Sequence, residues 1–155
     1  HEGQLAAAGE TYINHCKQVA RIVCEYTDDE ETIIAGLLHG TIEHASIRLD
    51  EIYHKFGADV AYIVDGITTR KRESLVSNYN RLKHYALEDR RIILVKMADR
   101  IHHLTTPADS EKLRRKYWIT TQGYIALGRR LGYSNLAERL KKLADVNLYH
   151  AVSTN

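Results

Sequence analysis

Proline is nearly missing from this chain: Pro107 stands alone in 155 residues. Proline lacks the N–H that a helical hydrogen bond needs, so its scarcity leaves the chain free to be helical almost throughout. Cysteine is equally sparse. Cys16 and Cys24 are eight positions apart, which on one helix is roughly 12 Å of rise and too far for a disulfide. They read as reduced thiols of a cytoplasmic protein, and without a Cys-x-x-Cys pair a zinc ribbon is excluded. No apolar run approaches the ~20 residues that cross a bilayer, and no signal-peptide pattern opens the chain. Ser/Gly-rich linkers, internal repeats, low-complexity tracts and strand-like alternation are also lacking. The net charge of +2 is too small to argue for nucleic acid or an anionic membrane as partner. Short basic clusters such as Arg70-Lys71-Arg72 and Arg114-Arg115-Lys116 read as solvated faces.

What is present is an ordinary mixture, 44% hydrophobic and 27% charged, long enough to bury one core and to form one domain over residues 1–155. Apolar residues recur at helical spacing. The pattern predicts helices over Tyr12–Tyr26, Glu30–Ala45, Leu49–Phe56, Ala58–Ile67, Ser77–Leu87, Arg90–Leu104, Ser110–Gly132 and Ser134–Leu148. Thr27 and Glu30 have the spacing of a capping box, Gly57 that of a C-terminal cap, and Ser134 that of an N-terminal cap. The fold class is all-α, with roughly seven to nine helices.

Three polar residues fall on apolar sides of these helices. His15 accompanies Val19 and Ile22. His39 sits in Gly36-Leu37-Leu38-His39-Gly40-Thr41-Ile42-Glu43-His44-Ala45, a stretch whose apolar positions Ile33, Leu37 and Ile42 suggest one core-facing helix. There His39 and Glu43 are i and i+4 and share a face, as do Gly40 and His44. Asp99 lies in the most apolar helix, with His102 and His103 three and four positions on. Singly, each reads first as a buried group satisfied by hydrogen bonds. Together, two imidazoles and a carboxylate on three packed helices suit one divalent transition ion.

The chain also resembles a known family, the RelA/SpoT-type HD-domain alarmone hydrolases, which include small stand-alone forms. The segments that carry the resemblance are Gly9-Glu10-Thr11-Tyr12-Ile13-Asn14-His15, Gly36 to His44, Phe56 to Val60, Val64 to Thr68, Val95-Lys96-Met97-Ala98-Asp99-Arg100-Ile101-His102 and Arg130-Leu131-Gly132. They span nearly the whole chain in the family's order. The resemblance implies a single-domain HD-type helical bundle. It implies hydrolysis of the 3′-pyrophosphate of guanosine tetra- or pentaphosphate, with one manganese ion as cofactor. It places His15, His39 and Asp99 on metal positions. Glu43 falls on the acid that activates the attacking water, with His44 beside it as second catalytic candidate. Tyr12, Lys96, Arg100, His103 and Thr106 fall around the substrate. The chain departs from the family at the centre of the site. Gly40 stands where the family has the ligating Asp, His44 where it has Asp, His103 where it has Asn, and Ala6-Ala7-Ala8 where it carries Arg and Lys. These departures imply a weakly bound or absent ion and weak or absent turnover. The rival expectations are an active phosphohydrolase with a remodelled site, in which His44 or His103 replaces the lost ligand, and a non-catalytic nucleotide-binding module.

Overall fold

The apolar repeat that starts at Tyr12 folds into the first helix, α1 (Tyr12–Cys24), with His15, Cys16, Val19, Ala20, Ile22 and Val23 on its buried side. The computed structural model of the chain describes residues 11–105 and 116–153. Thr106, Pro107 and the Ala6-Ala7-Ala8 stretch lie outside the described residues.

Helix α2 (Glu30–Leu38) restarts the chain, and its cap is Asp29 rather than Thr27. The Asp29 carboxylate accepts the Thr32 amide at 3.0 Å and the Thr32 hydroxyl as well. An ionised carboxylate satisfies an orphan N–H and also meets the positive end of the helix dipole, which a hydroxyl cannot do as well. Thr27 serves one step earlier, accepting the Asp29 amide at 3.1 Å.

The single helix expected over Glu30–Ala45 is two helices. α2 ends at Leu38, and α3 (Thr41–His44) begins after a break at His39 and Gly40. Gly40 sits at φ −106°, ψ 2°, and glycine is the ordinary residue least committed to helix. The Thr41 hydroxyl donates to the Leu38 carbonyl at 2.7 Å and closes the end of α2. Of the expected stripe, Ile33 and Ile42 pack partly buried against the core and Leu37 does not, so the most deeply buried face of α2 is a different one. Thr32, Ala35 and Gly36 face inward while Leu37 is exposed. Small residues let the backbones approach: a Cβ at Gly36 would stand 3.5 Å from the Ala20 Cα. His39 lies on this small-residue face, and that is what carries it into the core.

Gly57, at φ 90°, ends α4 (Leu49–Phe56) and begins α5 (Ala58–Ile67) in a single residue, a backbone conformation that favours glycine. Helix α6 (Leu75–Glu88) starts before the expected Ser77, because the Ser74 hydroxyl caps it by accepting the Ser77 amide. The loop before it is pinned by Asn78, which accepts the Arg70 amide at 2.8 Å and donates to the carbonyls of Arg70, Glu73 and Ser74.

Helix α7 (Arg91–Thr105) is buried along nearly its whole length. It packs on α1, α5 and α6. The region expected as one helix over Ser110–Gly132 contains, among the described residues, a π-helical turn (Ile119–Ile125) and then α8 (Ala126–Arg130). The final helix, α9 (Ser134–Ser153), includes Ser134 as its first residue and lies against α7. The fold is all-α, and no strand occurs among the described residues. No helix there is long and apolar enough to cross a membrane.

Removing the α2 cap tests this account. Asp29→Ala should cost about 1 kcal/mol in urea-unfolding free energy at neutral pH. The Thr32 hydroxyl, followed by the Thr32 amide, holds the Asp29 carboxyl below its ordinary value despite some burial. The cap therefore contributes fully above the unfolded carboxylate pKa of about 3.9 and fades as pH falls through the lower folded value. The difference between native and variant should shrink on the acid side in the same titration.

Candidate metal centre

His15 from α1, His39 from the end of α2 and Asp99 from α7 converge beneath the surface, as their placement on apolar helix faces predicts. All three are buried. His15 Nε2 is 3.0 Å from His39 Nε2 and 3.4 Å from Asp99 Oδ1, and His39 Nε2 is 3.7 Å from Asp99 Oδ1. Ligands bonded to one ion at about 2.0–2.2 Å stand roughly 3.0–3.5 Å apart, so the triangle has nearly the dimensions of a single-ion site.

The protonation states favour a cation. His39 Nδ1 lies 2.7 Å from the Gly36 carbonyl. A carbonyl only accepts, so Nδ1 carries the hydrogen and Nε2 presents its lone pair to the triangle. Burial pushes the His39 pKa down to about 4 against the pull of Asp99, which keeps the ring neutral at neutral pH. Burial alone would raise the Asp99 carboxyl. The His103 imidazole and the Lys96 ammonium outweigh it and hold the group well below the usual carboxylate range. Lys96 Nζ is 3.2 Å from Asp99 Oδ2. Asp99 Oδ1 is buried and accepts no well-directed hydrogen bond. His103 Nδ1 is a near neighbour of this oxygen at 2.8 Å but aims no well-directed hydrogen at it, and a buried charged oxygen so incompletely satisfied, beside imidazole nitrogens, fits a divalent ion.

His103 joins this cluster, and the ligand atoms of His15, Asp99 and His103 all lie within 4.8 Å of one another. Its Nδ1 stands 2.9 Å from the Asp99 backbone carbonyl and 2.8 Å from Asp99 Oδ1. Both neighbours only accept, so Nδ1 carries a hydrogen and braces the carboxylate.

A cleft of about 400 Å³ opens over the His39 and Asp99 corners of the triangle, with Tyr12, Glu43, His44, Lys96, Arg100 and His103 also in its walls. Glu43 is on α3, not on the helix of His39, yet both face the cleft. Its carboxylate accepts the Thr69 amide, and its other oxygen lies 3.8 Å from His44 Nε2. His44 stands at the rim, its side chain 42% exposed, with its ring centroid 4.6 Å from that of Tyr12. The Arg100 guanidinium is buried and donates to the Thr120 hydroxyl at 3.3 Å, while its Nε has no hydrogen-bond partner. Burial works to lower the Lys96 pKa, but Asp99 wins and raises it, so Lys96 remains charged. Thr106, the remaining substrate candidate, lies outside the described residues.

Gly40 explains part of the site's shape. A Cβ at this position would meet the Tyr12 hydroxyl oxygen at 2.0 Å and the Tyr12 ring at 2.5 Å. The phenol fills the space where a side chain at position 40 would begin. Burial, and after it Asp99, raises the Tyr12 pKa, so the hydroxyl keeps its proton. Sequence reasoning missed His102, whose Nδ1 is 2.8 Å from His15 Nδ1. The available signal was its position three residues after Asp99 on the same helix.

Residues 1–134 match the family described as HD domain. The chain is 34% identical over 153 residues to a guanosine-3′,5′-bis(diphosphate) 3′-pyrophosphohydrolase of Haemophilus influenzae, covering 93% of this chain and 23% of that protein. It is 36% identical over 156 residues to a GTP pyrophosphokinase of Myxococcus xanthus, covering 93% of this chain and 21% of that one. The chain thus spans about a fifth of the length of these relatives. Its fold matches a solved structure described as a metazoan ortholog of SpoT that hydrolyzes ppGpp, with a TM-score of 0.74 at 24% identity, over 92% of this chain and 86% of that one.

The steric conflict at Gly40 changes what restoring a carboxylate there does. Gly40→Asp must displace the Tyr12 ring, so alone it should raise manganese affinity little. Combined with Tyr12→Ala it should raise affinity more than the two single changes summed. A coupling of about 0.5–3 kcal/mol is expected from calorimetric titration of the four proteins.

Proposed function

The chain belongs to the HD domain family, and on that premise we propose that it is a metal-dependent phosphohydrolase of RelA/SpoT type acting on the 3′-pyrophosphate of guanosine tetra- or pentaphosphate. The observation that carries this reading is the triangle of His15, His39 and Asp99, of which His39 and Asp99 line a cleft that also presents Lys96, Arg100 and Glu43. His15, His39 and Asp99 would hold the ion, with manganese the family's choice. A divalent ion so held supplies Lewis acidity toward a phosphoryl oxygen and lowers the pKa of water.

The remaining work falls to side chains. Glu43, steadied by the Thr69 amide, takes the proton of the attacking water. His44, 3.8 Å from it, is placed to carry that proton on to solvent. Lys96 and Arg100 offset the charge of the phosphates in a site that burial makes electrostatically effective. His103 has one nitrogen tied to Asp99 and turns the other edge of its ring to the substrate. Tyr12 walls the cleft against the nucleoside. A guanine nucleotide of this kind is a cytoplasmic substrate, and no nucleic acid is required.

Turnover is weak in this reading. Gly40 removes one carboxylate from the family's ligand set, and its place is taken by a phenol that keeps its proton. Ala6, Ala7 and Ala8 remove cations that position the nucleotide, and misplacement alone can cost on the order of 10²-fold.

The test is pyrophosphate release from guanosine tetraphosphate with manganese. We expect a manganese-dependent rate at least ~10²-fold below that of an intact relative, lost on chelation and in Glu43→Gln. Nucleotide binding without any manganese-dependent release would replace this reading with a binding module. A rate equal to that of the relatives would show a fully remodelled enzyme.

A further inference from the structure

His102 has no part in the mechanism above, yet it is buried and its Nδ1 meets His15 Nδ1 at 2.8 Å. The ring centroids are 4.8 Å apart and the planes inclined at 60°. Between two imidazole nitrogens at this distance one proton is needed. Two would repel, and none would leave facing lone pairs.

The proton positions can be followed from a fixed end. The Gly36 carbonyl accepts from His39 Nδ1, so the neutral His39 ring is bare at Nε2. His15 Nε2, 3.0 Å away, must then donate to it. A neutral His15 is in turn bare at Nδ1, and the proton facing it belongs to His102 Nδ1. Without an ion, the three rings form a head-to-tail chain in which His102 donates to His15, His15 to His39, and His39 to Gly36.

That chain is incompatible with His15 as a ligand. To bind a cation, His15 must present the Nε2 lone pair, and its proton must sit on Nδ1. His102 Nδ1 must then accept, which places the His102 proton on Nε2. We propose that His102 is the positioning residue of the metal centre, and that ion binding switches the tautomers of His15 and His102 together. Two protons change place, from Nε2 to Nδ1 on His15 and from Nδ1 to Nε2 on His102. None is gained or lost. The outer ring thus stabilises the ligand form of His15 as carbonyls and carboxylates do behind other metal-bound histidines. The proposal rests on the reading of the triangle as a metal site.

Zinc(II) is the suitable probe, because it accepts imidazole and carboxylate ligands and is diamagnetic. Histidine ring ¹⁵N spectra of the labelled full chain, recorded with and without zinc, read each tautomer directly. The expected result is a reversal at both His15 and His102 on zinc addition, with His39 keeping its Nδ1 hydrogen throughout. In calorimetric titration, His102→Phe should lose about 10–100-fold in zinc affinity. His102→Asn, which keeps an acceptor oxygen near the Nδ1 position, should recover most of it, with circular dichroism confirming that both variants fold. An unchanged His15 tautomer would overturn the proposal, as would a folded His102→Phe chain that binds zinc as tightly as the native one. Should His102→Phe not fold, the native spectra decide alone. A native chain that binds no zinc overturns the switch and the metal reading together, whereas a bound ion without tautomer reversal removes only the switch.

Discussion

A carboxylate inside a helix buried along nearly its whole length has to be compensated, and the architecture around α7 follows from that demand. Asp99 is charged despite full burial, because Lys96 and His103 on its own helix and the histidines of α1 and α2 crowd around it. Replacing it with an aliphatic residue would ease the core and remove the reason for four polar side chains to face inward. Natural cores rarely keep such a group without a use for it. The long apolar run of α7 has a matching role. It packs the helix against α1, α5 and α6 firmly enough that a cluster of charges can be held at defined separations.

Much of this was legible in the residues. The all-α class, the convergence of His15, His39 and Asp99, and the place of Glu43 and Lys96 beside them follow from apolar periodicity and from the family motifs. What escaped depends on neighbours distant in sequence. Ile33, Leu37 and Ile42 have the spacing of a core stripe, but only Ile33 and Ile42 pack on the core, and α2 turns its small residues most deeply inward because α1 comes close. Hydrophobicity alone favours Leu37 over Gly36, whereas packing reverses the order. The break at Gly40 is visible as a weak helix former, but that a tyrosine from α1 fills the adjoining space is not. Asp29 outcompetes Thr27 as cap for reasons of charge. His102 stood in view as the last residue of its motif, but nothing in the sequence shows that its ring reaches His15 on a helix 87 residues earlier.

The same considerations separate two kinds of departure from the family pattern. At position 103, histidine for asparagine keeps a donor against the Asp99 carboxylate, and the environment of that group remains coherent. At position 40, glycine for aspartate takes away an anion and admits a neutral phenol. The first is a substitution within the electrostatic plan of the site, and the second changes it. On the proposed reading, a centre with one fewer negative charge would hold a divalent ion less firmly and leave more net positive charge facing an anionic substrate.

The π-helical turn at Ile119–Ile125 has its own consequence. A π turn accommodates one residue more than the α-helix around it, and each α-helical residue advances the side chain by roughly 100°. Lys116 lines the cleft, Ile119 and Tyr124 both line it and belong to the hydrophobic core, and Ile125 and Leu127 belong to the core alone. In a regular helix, the residues after the turn would be rotated by about one residue relative to those before it. The widened turn acts as a phase adjuster, letting one continuous segment turn Lys116 toward the cleft at one end and Leu127 into the packed interior at the other. Excising a single residue there would force the segment to choose between them.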